Sequence, residues 1–362
     1  MTPRKLALAA LVALASLAAA TAAQASSRRG NGAVYVLSNG GAGNSVLAYT
    51  RNDDGSLTAA GSYATGGSGT GAGLGDQGAL VLTADGLRLF AVNAGSASVS
   101  EFQVTGNSLK LRSVVASNGQ TPLSVTVHGD LLYVLNGSGS ITGYRLVGNG
   151  LEPIPGSSRQ TGAGASGPAQ IQFSPDGSWL AVTEKGSSTI DTFAVGANGV
   201  AAAPVTTASA GGTPFGFDID AAGHLLVSEA AGSASSYSVG ADGHANVISG
   251  AVATFQAAPC WLVATKDGRF AYTANAGAGN ISRFGIGANG SLTLLDAGTP
   301  AASFGAGSHP LDLGVSPDGQ FLYNLTDGLH RISGFRIAAD GTLTSVGTLG
   351  GLPVGAEGIA VS

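Results

Sequence analysis

The sequence predicts an all-β fold, a seven-bladed β-propeller closed by pairing of the N- and C-terminal strands. Three observations predict it: a strand–turn–strand unit recurs along the chain, a second turn ends each repeat, and an incomplete repeat lies at each end. Four short strands per unit and a period of roughly 48 residues match one propeller blade. Apolar and polar residues alternate between evenly spaced turns, which is typical of all-β proteins.

The recurring unit is a β-hairpin. In residues 173–182 an apolar strand is followed by Pro175, Asp176 and Gly177 and then by a second apolar strand. Proline presets the backbone dihedral of the turn, and glycine supplies the positive φ angle that the turn requires. Six copies of the hairpin, three of them looser, lie at 83–86, 127–130, 173–182, 219–223, 264–272 and 315–323.

Each hairpin is followed by the same pair of features. The second strand ends near a polar residue, and these residues are Asn93, Asn136, Glu184, Glu229, Asn275 and Thr326. The third strand carries an aromatic residue, and these residues are Phe102, Tyr144, Phe193, Tyr237, Phe284 and Phe335. A turn such as 288–292 or 339–343 then leads into a fourth strand, so each repeat supplies one four-stranded blade.

The seventh blade is split between the two ends of the chain. Residues 34–39 have the pattern of a second strand without a first, and residues 357–362 have the pattern of a first strand without a second. Pairing them completes the blade and removes sheet edges that favour aggregation. An open solenoid is the alternative, but it needs capping repeats, which the sequence lacks.

The N-terminus has the pattern of a secretory signal peptide. Arg4 and Lys5 precede an uncharged apolar run over 6–20, and Ala23 and Ala25 are the small residues that a signal peptidase recognises. We therefore expect a signal peptide over 1–25 and a single propeller domain over 26–362, secreted or periplasmic. An uncleaved anchor is the alternative, although the run is short for a membrane span of about 20 residues.

The amino-acid composition limits the kinds of partner that the protein is expected to bind. The net charge is −5, only 10% of the residues are charged, and lysine and arginine occur singly. Nucleic acid is therefore not an expected partner, because phosphate binding needs clustered cations. A single cysteine, Cys260, excludes an intramolecular disulfide and is expected to be a buried strand residue. We expect a monomer without a membrane span after removal of the signal peptide.

The repeats resemble those of the lactonase-type seven-bladed propellers, the family of bacterial 6-phosphogluconolactonase and of the fungal muconate-lactonising enzyme. The resemblance rests on the Ser-Pro-Asp-Gly hairpins, the X-Pro step into each first strand and the Asp/Asn-Gly-X-Leu turns. It covers nearly the whole mature chain. It implies hydrolysis of a lactone or similar cyclic ester by residues at one mouth of the central channel, on loops that enter first strands or follow second strands.

The family motifs at this mouth are partly changed. A family Gly-Pro-Arg-His step corresponds to 167–170, which lacks both Arg and His, and a family Asn-Glu-Leu corresponds to 183–185, which keeps the Glu. A His-rich step of the family corresponds to 120–124, which has no His, whereas a His-Pro step is kept at His309. The resemblance thus implies a degenerate lactonase site.

Lactone opening needs a base that activates water and a donor that stabilises the oxyanion. Glu184 or His309 is the candidate base, and Gln170 with Lys185 is the candidate oxyanion site. Glu184 and Glu229, in equivalent loops of adjacent blades, could face each other across the channel and raise each other's pKa. The candidate ligand-binding residues at the mouth are Gln77, Gln120, Glu229, Trp261, Asn275 and Glu357. The alternative for all these residues is that they are solvated loop positions or, for Trp261, core packing.

Two functions of different classes stay open. One is an exported lactone hydrolase whose Glu184, His309 and a donor converge at one mouth. The other is a non-catalytic extracytoplasmic propeller that binds a small ligand or a protein there. A haem- or quinone-dependent oxidoreductase is a more distant alternative, and no cofactor is expected. The five histidines lack metal-ligand spacing, so no metal site is predicted. The glycine-rich stretch 66–75 is interpreted as a flexible loop long enough to cover the mouth.

Overall fold

Short antiparallel strands make up nearly all of the described chain. The computed structural model describes residues 32–148, 150–162 and 166–362, so the predicted signal peptide lies outside the described residues. Two single-turn 3-10 helices span Asp296–Gly298 and Asp327–Leu329. The strands are β1 (Ala33–Leu37), β2 (Ser45–Arg51), β3 (Leu57–Ala64), β4 (Leu80–Leu82), β5 (Arg88–Asn93), β6 (Ser98–Thr105), β7 (Ser108–Ala116), β8 (Pro122–His128), β9 (Leu131–Asn136), β10 (Ser140–Val147), β11 (Gly150–Pro153), β12 (Arg159–Gln160), β13 (Pro168–Phe173), β14 (Trp179–Glu184), β15 (Thr189–Ala194), β16 (Val205–Ala208), β17 (Pro214–Ile219), β18 (His224–Glu229), β19 (Ser233–Val239), β20 (Ala245–Ala253), β21 (Pro259–Ala264), β22 (Phe270–Asn275), β23 (Asn280–Ile286), β24 (Leu292–Leu294), β25 (Ala302–Ser303), β26 (Pro310–Val315), β27 (Phe321–Thr326), β28 (Arg331–Ile337), β29 (Leu343–Gly350) and β30 (Ile359–Val361).

These strands form seven sheets arranged as a propeller, as the sequence predicts. The innermost strands β4, β8, β13, β17, β21, β26 and β30 contact one another in ring order around a central channel. All six predicted hairpins join a first strand to a second strand. Blade 1 comprises β4–β7, blade 2 β8–β12, blade 3 β13–β16, blade 4 β17–β20, blade 5 β21–β25, blade 6 β26–β29, and blade 7 β30 with β1–β3.

Blade 7 closes the ring as predicted. β30 pairs antiparallel with β1, with Ile359 opposite Val36 and Val361 opposite Val34. The Ser362 N–H donates to the Ala33 carbonyl at 2.8 Å. The innermost strand of the blade therefore comes from one end of the chain and the other three strands from the opposite end, so no blade is left with an unpaired inner edge.

Two sets of polar contacts join neighbouring blades. Tyrosine hydroxyls on second strands donate across the blade interface to a turn carbonyl; these pairs are Tyr133–Gly199, Tyr272–Gly341 and Tyr323–Gly55, each at 2.7 Å. Side chains on innermost strands accept a backbone N–H from the next blade; these pairs are Thr126–Phe173, Gln170–Phe217, Asp218–Ala264 and Asp312–Gly358. These hydrogen bonds thus join neighbouring blades both near the channel axis and further out. Apolar packing between the sheets adds to them.

The predicted third-strand aromatics occupy the core. All six are buried, and Phe102, Tyr144, Phe193, Tyr237 and Phe284 are fully enclosed. Cys260 is likewise a buried residue of β21, as the sequence predicts. Among the described residues, no helix is long and apolar enough to cross a membrane.

Candidate functional site

The polar residues that end the second strands lie inside the blades. Asn93, Asn136, Glu184, Glu229, Asn275 and Thr326 have no exposed surface. The Asn275 amide donates to Asn280 Oδ1 at 2.6 Å and to Ser282 Oγ at 2.9 Å, both on the third strand of its own blade. This position fixes the loop between the second and third strands.

Glu229 is the most fully bonded member of this set. Its carboxylate accepts hydrogen bonds from Ser233 Oγ at 2.5 Å, Ser235 Oγ at 2.6 Å and the Gly211 N–H at 2.8 Å. Ser209 Oγ donates at 3.1 Å. These partners all belong to blade 4 or to the connection that enters it, so the structure places the Glu229 carboxylate within its blade rather than opposite Glu184.

Glu184 occupies the same position in blade 3 but has a different electrostatic environment. Burial is the main cause that raises the pKa of Glu184 to about 7, and the negative charge of Asp191 adds to it. A hydrogen bond from Thr161 and the positive charge of Lys185 act in the opposite direction. Near neutral pH this carboxyl group is therefore partly protonated.

The mouth of the channel, where innermost strands begin and second strands end, is filled by the segment Leu74–Gln77, which we call the plug. The Gln77 carboxamide donates to the Leu262 carbonyl at 2.8 Å and to the Phe217 carbonyl at 3.2 Å, and it accepts the Leu262 N–H at 3.0 Å. Leu262 and Phe217 lie on blades 5 and 4, opposite blade 1. Gln77 therefore spans the channel.

Further hydrogen bonds and close contacts surround Gln77 in the channel. Its backbone N–H donates to the Ala169 carbonyl at 3.1 Å, and its carbonyl accepts Ser124 Oγ at 2.6 Å. A Cβ atom at Gly216 would lie 2.1 Å from Gln77 Oε1, so glycine is required there for close approach. On the far side of Gln77 the channel contains a cavity of about 590 Å³ that Gln170 and Asp312 also line.

Three side chains hold the backbone of the plug. The Glu357 carboxylate accepts the N–H groups of Leu74, Gly75 at 3.2 Å and Asp76 at 3.0 Å. Lys185 Nζ donates to the Gly75 carbonyl, and Trp261 Nε1 donates to the Asp76 carbonyl at 2.7 Å. The structure thus brings together four sequence-predicted residues, Gln77, Lys185, Trp261 and Glu357.

Lys185 is the cation of this cluster. Its Nζ lies 4.7 Å from the ring centroid of Phe215, in a cation–π geometry. Burial lowers the pKa of Lys185, and the negative charges of Asp76 and Glu357 oppose that shift. The side chain is half-buried, so it stays accessible from the mouth.

Two carboxyl groups of the cluster were not among the predicted site residues. Asp76 and Asp312 are 0% and 2% exposed. Burial raises the pKa of each well above its usual range, and the charge of Glu357 raises both further. Asp312 Oδ2 accepts the Gly358 N–H at 2.9 Å, whereas neither oxygen of Asp76 has a hydrogen-bond partner among residues 32–148, 150–162 and 166–362.

The remaining predicted residues lie apart from this cluster or have their polar atoms engaged. Gln170 uses its carboxamide on the Phe217 backbone, at 2.7 and 2.9 Å, and on Gln172 at 3.1 Å. Gln120 and His309 are exposed on loops at the mouth. The described residues contain no group of three or more His, Cys, Asp or Glu placed to hold a metal ion.

Comparison with known proteins assigns the architecture. The family model for Lactonase, 7-bladed beta-propeller, matches residues 150–231 and 226–353, together more than half of the chain. A search of curated proteins gives no match. The solved structure of a Lactobacillus plantarum protein is 18% identical, with a TM-score of 0.76, and the alignment covers 92% of this chain and 99% of that one.

Two further solved structures carry functional descriptions. The periplasmic gluconolactonase of Pseudomonas aeruginosa is 18% identical, with a TM-score of 0.70, over 91% of this chain and 98% of that one. A Bacteroides fragilis protein described provisionally as a 6-phosphogluconolactonase is also 18% identical, with a TM-score of 0.70, over 92% and 98%. At these identities the likeness shows the shared fold.

Proposed function

Because this chain belongs to the lactonase family of seven-bladed β-propellers, we propose that it is an exported hydrolase that opens a neutral lactone or similar cyclic ester. The observation that carries the proposal is the position of Lys185, a half-buried ammonium group between the plug and Phe215 at the channel mouth. A fixed cation in a poorly hydrated site is suited to stabilising the oxyanion of acyl transfer.

Hydrolysis of a lactone adds one water molecule. The water oxygen bonds to the carbonyl carbon while a base takes one of its protons, and the carbonyl oxygen becomes the oxyanion that Lys185 stabilises. The ring C–O bond then breaks, and the ring oxygen takes up a proton and leaves as an alcohol. The sequence offers two candidate bases, and of these His309 is exposed at the mouth whereas Glu184 has no exposed surface.

The charges around the plug favour a neutral substrate. Asp76 and Glu357 lie close enough to Lys185 for their negative charges to raise its pKa, and Asp312 lies near these two carboxyl groups. A phosphate group is bound by several cations or N–H donors, and one lysine beside carboxyl groups does not supply them. A lactone without phosphate is therefore the better candidate.

The test is acid release from a panel of sugar, aryl and acyl lactones, measured at constant pH with the mature protein. Lys185→Ala is expected to reduce turnover about 100-fold, the usual effect of removing one oxyanion donor. Lys266→Ala is the matched control, because Lys266 is an exposed lysine on the opposite face of the ring. Equal turnover of the Lys185 variant and the control would refute the assignment of Lys185.

A second candidate is a non-catalytic binding propeller, and one observation favours it. The plug fills the channel, and the carboxamides of Gln77 and Gln170 are engaged by backbone groups of opposite or neighbouring blades. The candidate ligand-binding residue Gln77 and the candidate oxyanion donor Gln170 therefore both serve the fold. Absence of turnover on every lactone of the panel, with binding of one of them retained, would favour this candidate over the hydrolase.

Export is proposed from the N-terminal sequence, and a Pseudomonas aeruginosa protein of the same fold is periplasmic. Expression of the full chain in a bacterial host, followed by fractionation and mass measurement, tests it. We expect the protein outside the cytoplasm with Ser26 as its first residue. An unprocessed chain in the membrane fraction would indicate an anchor instead.

A further inference from the structure

Asp76 is the residue of the plug whose side chain the fold does not use. It has no exposed surface, and neither carboxyl oxygen has a hydrogen-bond partner among the described residues. Buried polar groups are nearly always paired, because an unpaired one loses its hydration without compensation. Glu357 shows the contrast, since the same cluster gives its carboxylate three N–H partners.

The contacts that hold the plug closed do not involve the Asp76 side chain. Glu357, Lys185 and Trp261 all bind backbone atoms of the plug, and Gln77 binds the opposite strands. The Asp76 carboxyl group instead lies near two others, Glu357 and Asp312, each of which disfavours its negative charge. In the closed state this side chain therefore weakens the plug whenever it is ionised.

Glycines at both sides of Asp76 provide the backbone freedom to move. Gly75 and Gly78 have φ angles of +65° and +88°, a region that glycine enters without steric cost. The plug is held by hydrogen bonds, five of them to the backbone of Leu74, Gly75 and Asp76 and the others to Gln77. Its one apolar side chain, that of Leu74, is half-buried. Breaking these hydrogen bonds releases a short segment without unpairing any strand.

We propose that the plug opens toward the mouth and that the open state presents Asp76 beside Lys185 as the acid of the reaction. The catalytic role rests on the proposed lactonase function. The Asp76 carboxyl group carries to the mouth the proton that burial keeps on it in the closed plug, and it donates this proton to the ring oxygen as the C–O bond breaks. It takes up a new proton when the plug closes again, while the base releases the proton that it took from water.

Cys260 supplies a native reporter of opening that does not depend on activity. It is the only cysteine of the chain, it is buried, and it precedes Trp261, whose indole binds the plug. The experiment measures the rate at which a maleimide labels this thiol in the folded protein. Glu357→Gln removes the carboxylate that holds three plug N–H groups, and we expect labelling to become about tenfold faster or more.

Two other variants complete the comparison. Glu101→Gln changes a buried carboxylate in blade 1 that binds Arg88 and Ser113, so it controls for a general loss of stability and should label at the wild-type rate. Asp76→Asn should label no faster than wild type, because the side chain does not hold the plug. Labelling of Glu357→Gln at the wild-type rate would overturn plug opening. Labelling of Asp76→Asn as fast as that of Glu357→Gln would overturn the inference that the Asp76 side chain does not hold the plug closed.

The catalytic part is measured separately on the lactone that the wild-type protein turns over. We expect Asp76→Asn to lower kcat by about 100-fold or more, with partial recovery in Asp76→Glu, as for removal of a general acid. Unchanged kcat in Asp76→Asn would overturn the role of Asp76. Absence of wild-type turnover would instead count against the proposed lactonase function, and the labelling result would still decide whether the plug opens.

Discussion

Glu184 and Glu229 show how two residues at one position of the repeat acquire different properties. Both end the second strand of their blade and both are fully buried. Serine and backbone donors saturate the Glu229 carboxylate. Burial dominates at Glu184 and raises its pKa to about 7. Part of the difference lies in the third strands, because Ser233 and Ser235 of β19 donate to Glu229. At the position of blade 3 that corresponds to Ser235, Asp191 of β15 instead adds a negative charge near Glu184.

The raised pKa of Glu184 predicts a pH-dependent stability. The folded protein keeps this proton up to about pH 7, whereas the unfolded chain loses it near 4.5. The folded state therefore binds more protons between these values, and its stability falls as the pH rises through them, by about 3 kcal/mol in total. Glu184→Gln, which cannot ionise, should be more stable than wild type at pH 8 and similar at pH 5, as measured by urea unfolding.

Glu229→Gln is the matched control for this measurement. Its carboxylate accepts hydrogen bonds from several donors, and an amide nitrogen cannot replace an acceptor oxygen. We therefore expect the control to be less stable than wild type at both pH values, by about 1–3 kcal/mol. A Glu184→Gln variant that is also less stable than wild type at pH 8 would show that Glu184 is held in its charged form.

At the scale of the strand and the loop, the features that could be predicted from the sequence are those that contacts between neighbouring residues determine. The turns at 175–177 and 317–319 identify their hairpins, because proline, aspartate and glycine favour that backbone. The Asp176 carboxylate accepts Ser174 Oγ at 2.6 Å and the Ser178 N–H at 3.1 Å, all within five residues of sequence. Such contacts can be read from the sequence without knowledge of the fold.

The glycine-rich stretch 66–75 was interpreted as a loop that could cover the mouth, but the contacts of the plug, which begins within it, could not be predicted in this way. Gln77 meets its partners Phe217 and Leu262 at separations of 140 and 185 residues, and its glycine-rich surroundings have the composition of a flexible linker. Asp76 belongs to no motif, and its burial follows from the path of the loop into the channel. Asp312 was missed for the same reason, although its innermost-strand position was predictable from the hairpin that follows it.

At the scale of the molecule, the propeller depends on a closure made by three residue pairs. Val34, Tyr35 and Val36 of β1 pair with β30, and all three are fully buried. In a closed ring each blade packs between two neighbours, so the loss of one innermost strand exposes its own blade and both flanking interfaces. The end of the chain therefore contributes more to stability than its length suggests.

A mature chain that ends at Gly358 tests this closure. Loss of β30 removes the buried side chains of Ile359 and Ala360 and leaves the inner edge of β1 unpaired. We expect stability to fall by about 5 kcal/mol or more, because deletion of one large buried aliphatic side chain alone costs about 2–5 kcal/mol. The exposed edge should also cause self-association. Urea unfolding and size-exclusion chromatography measure the two effects.

A chain extended beyond Ser362 by a short glycine-serine tail is the control and should remain monomeric and stable, because the β1–β30 pairing is intact. A truncated chain with the unfolding midpoint of the control would show that the six complete blades hold the ring without β30.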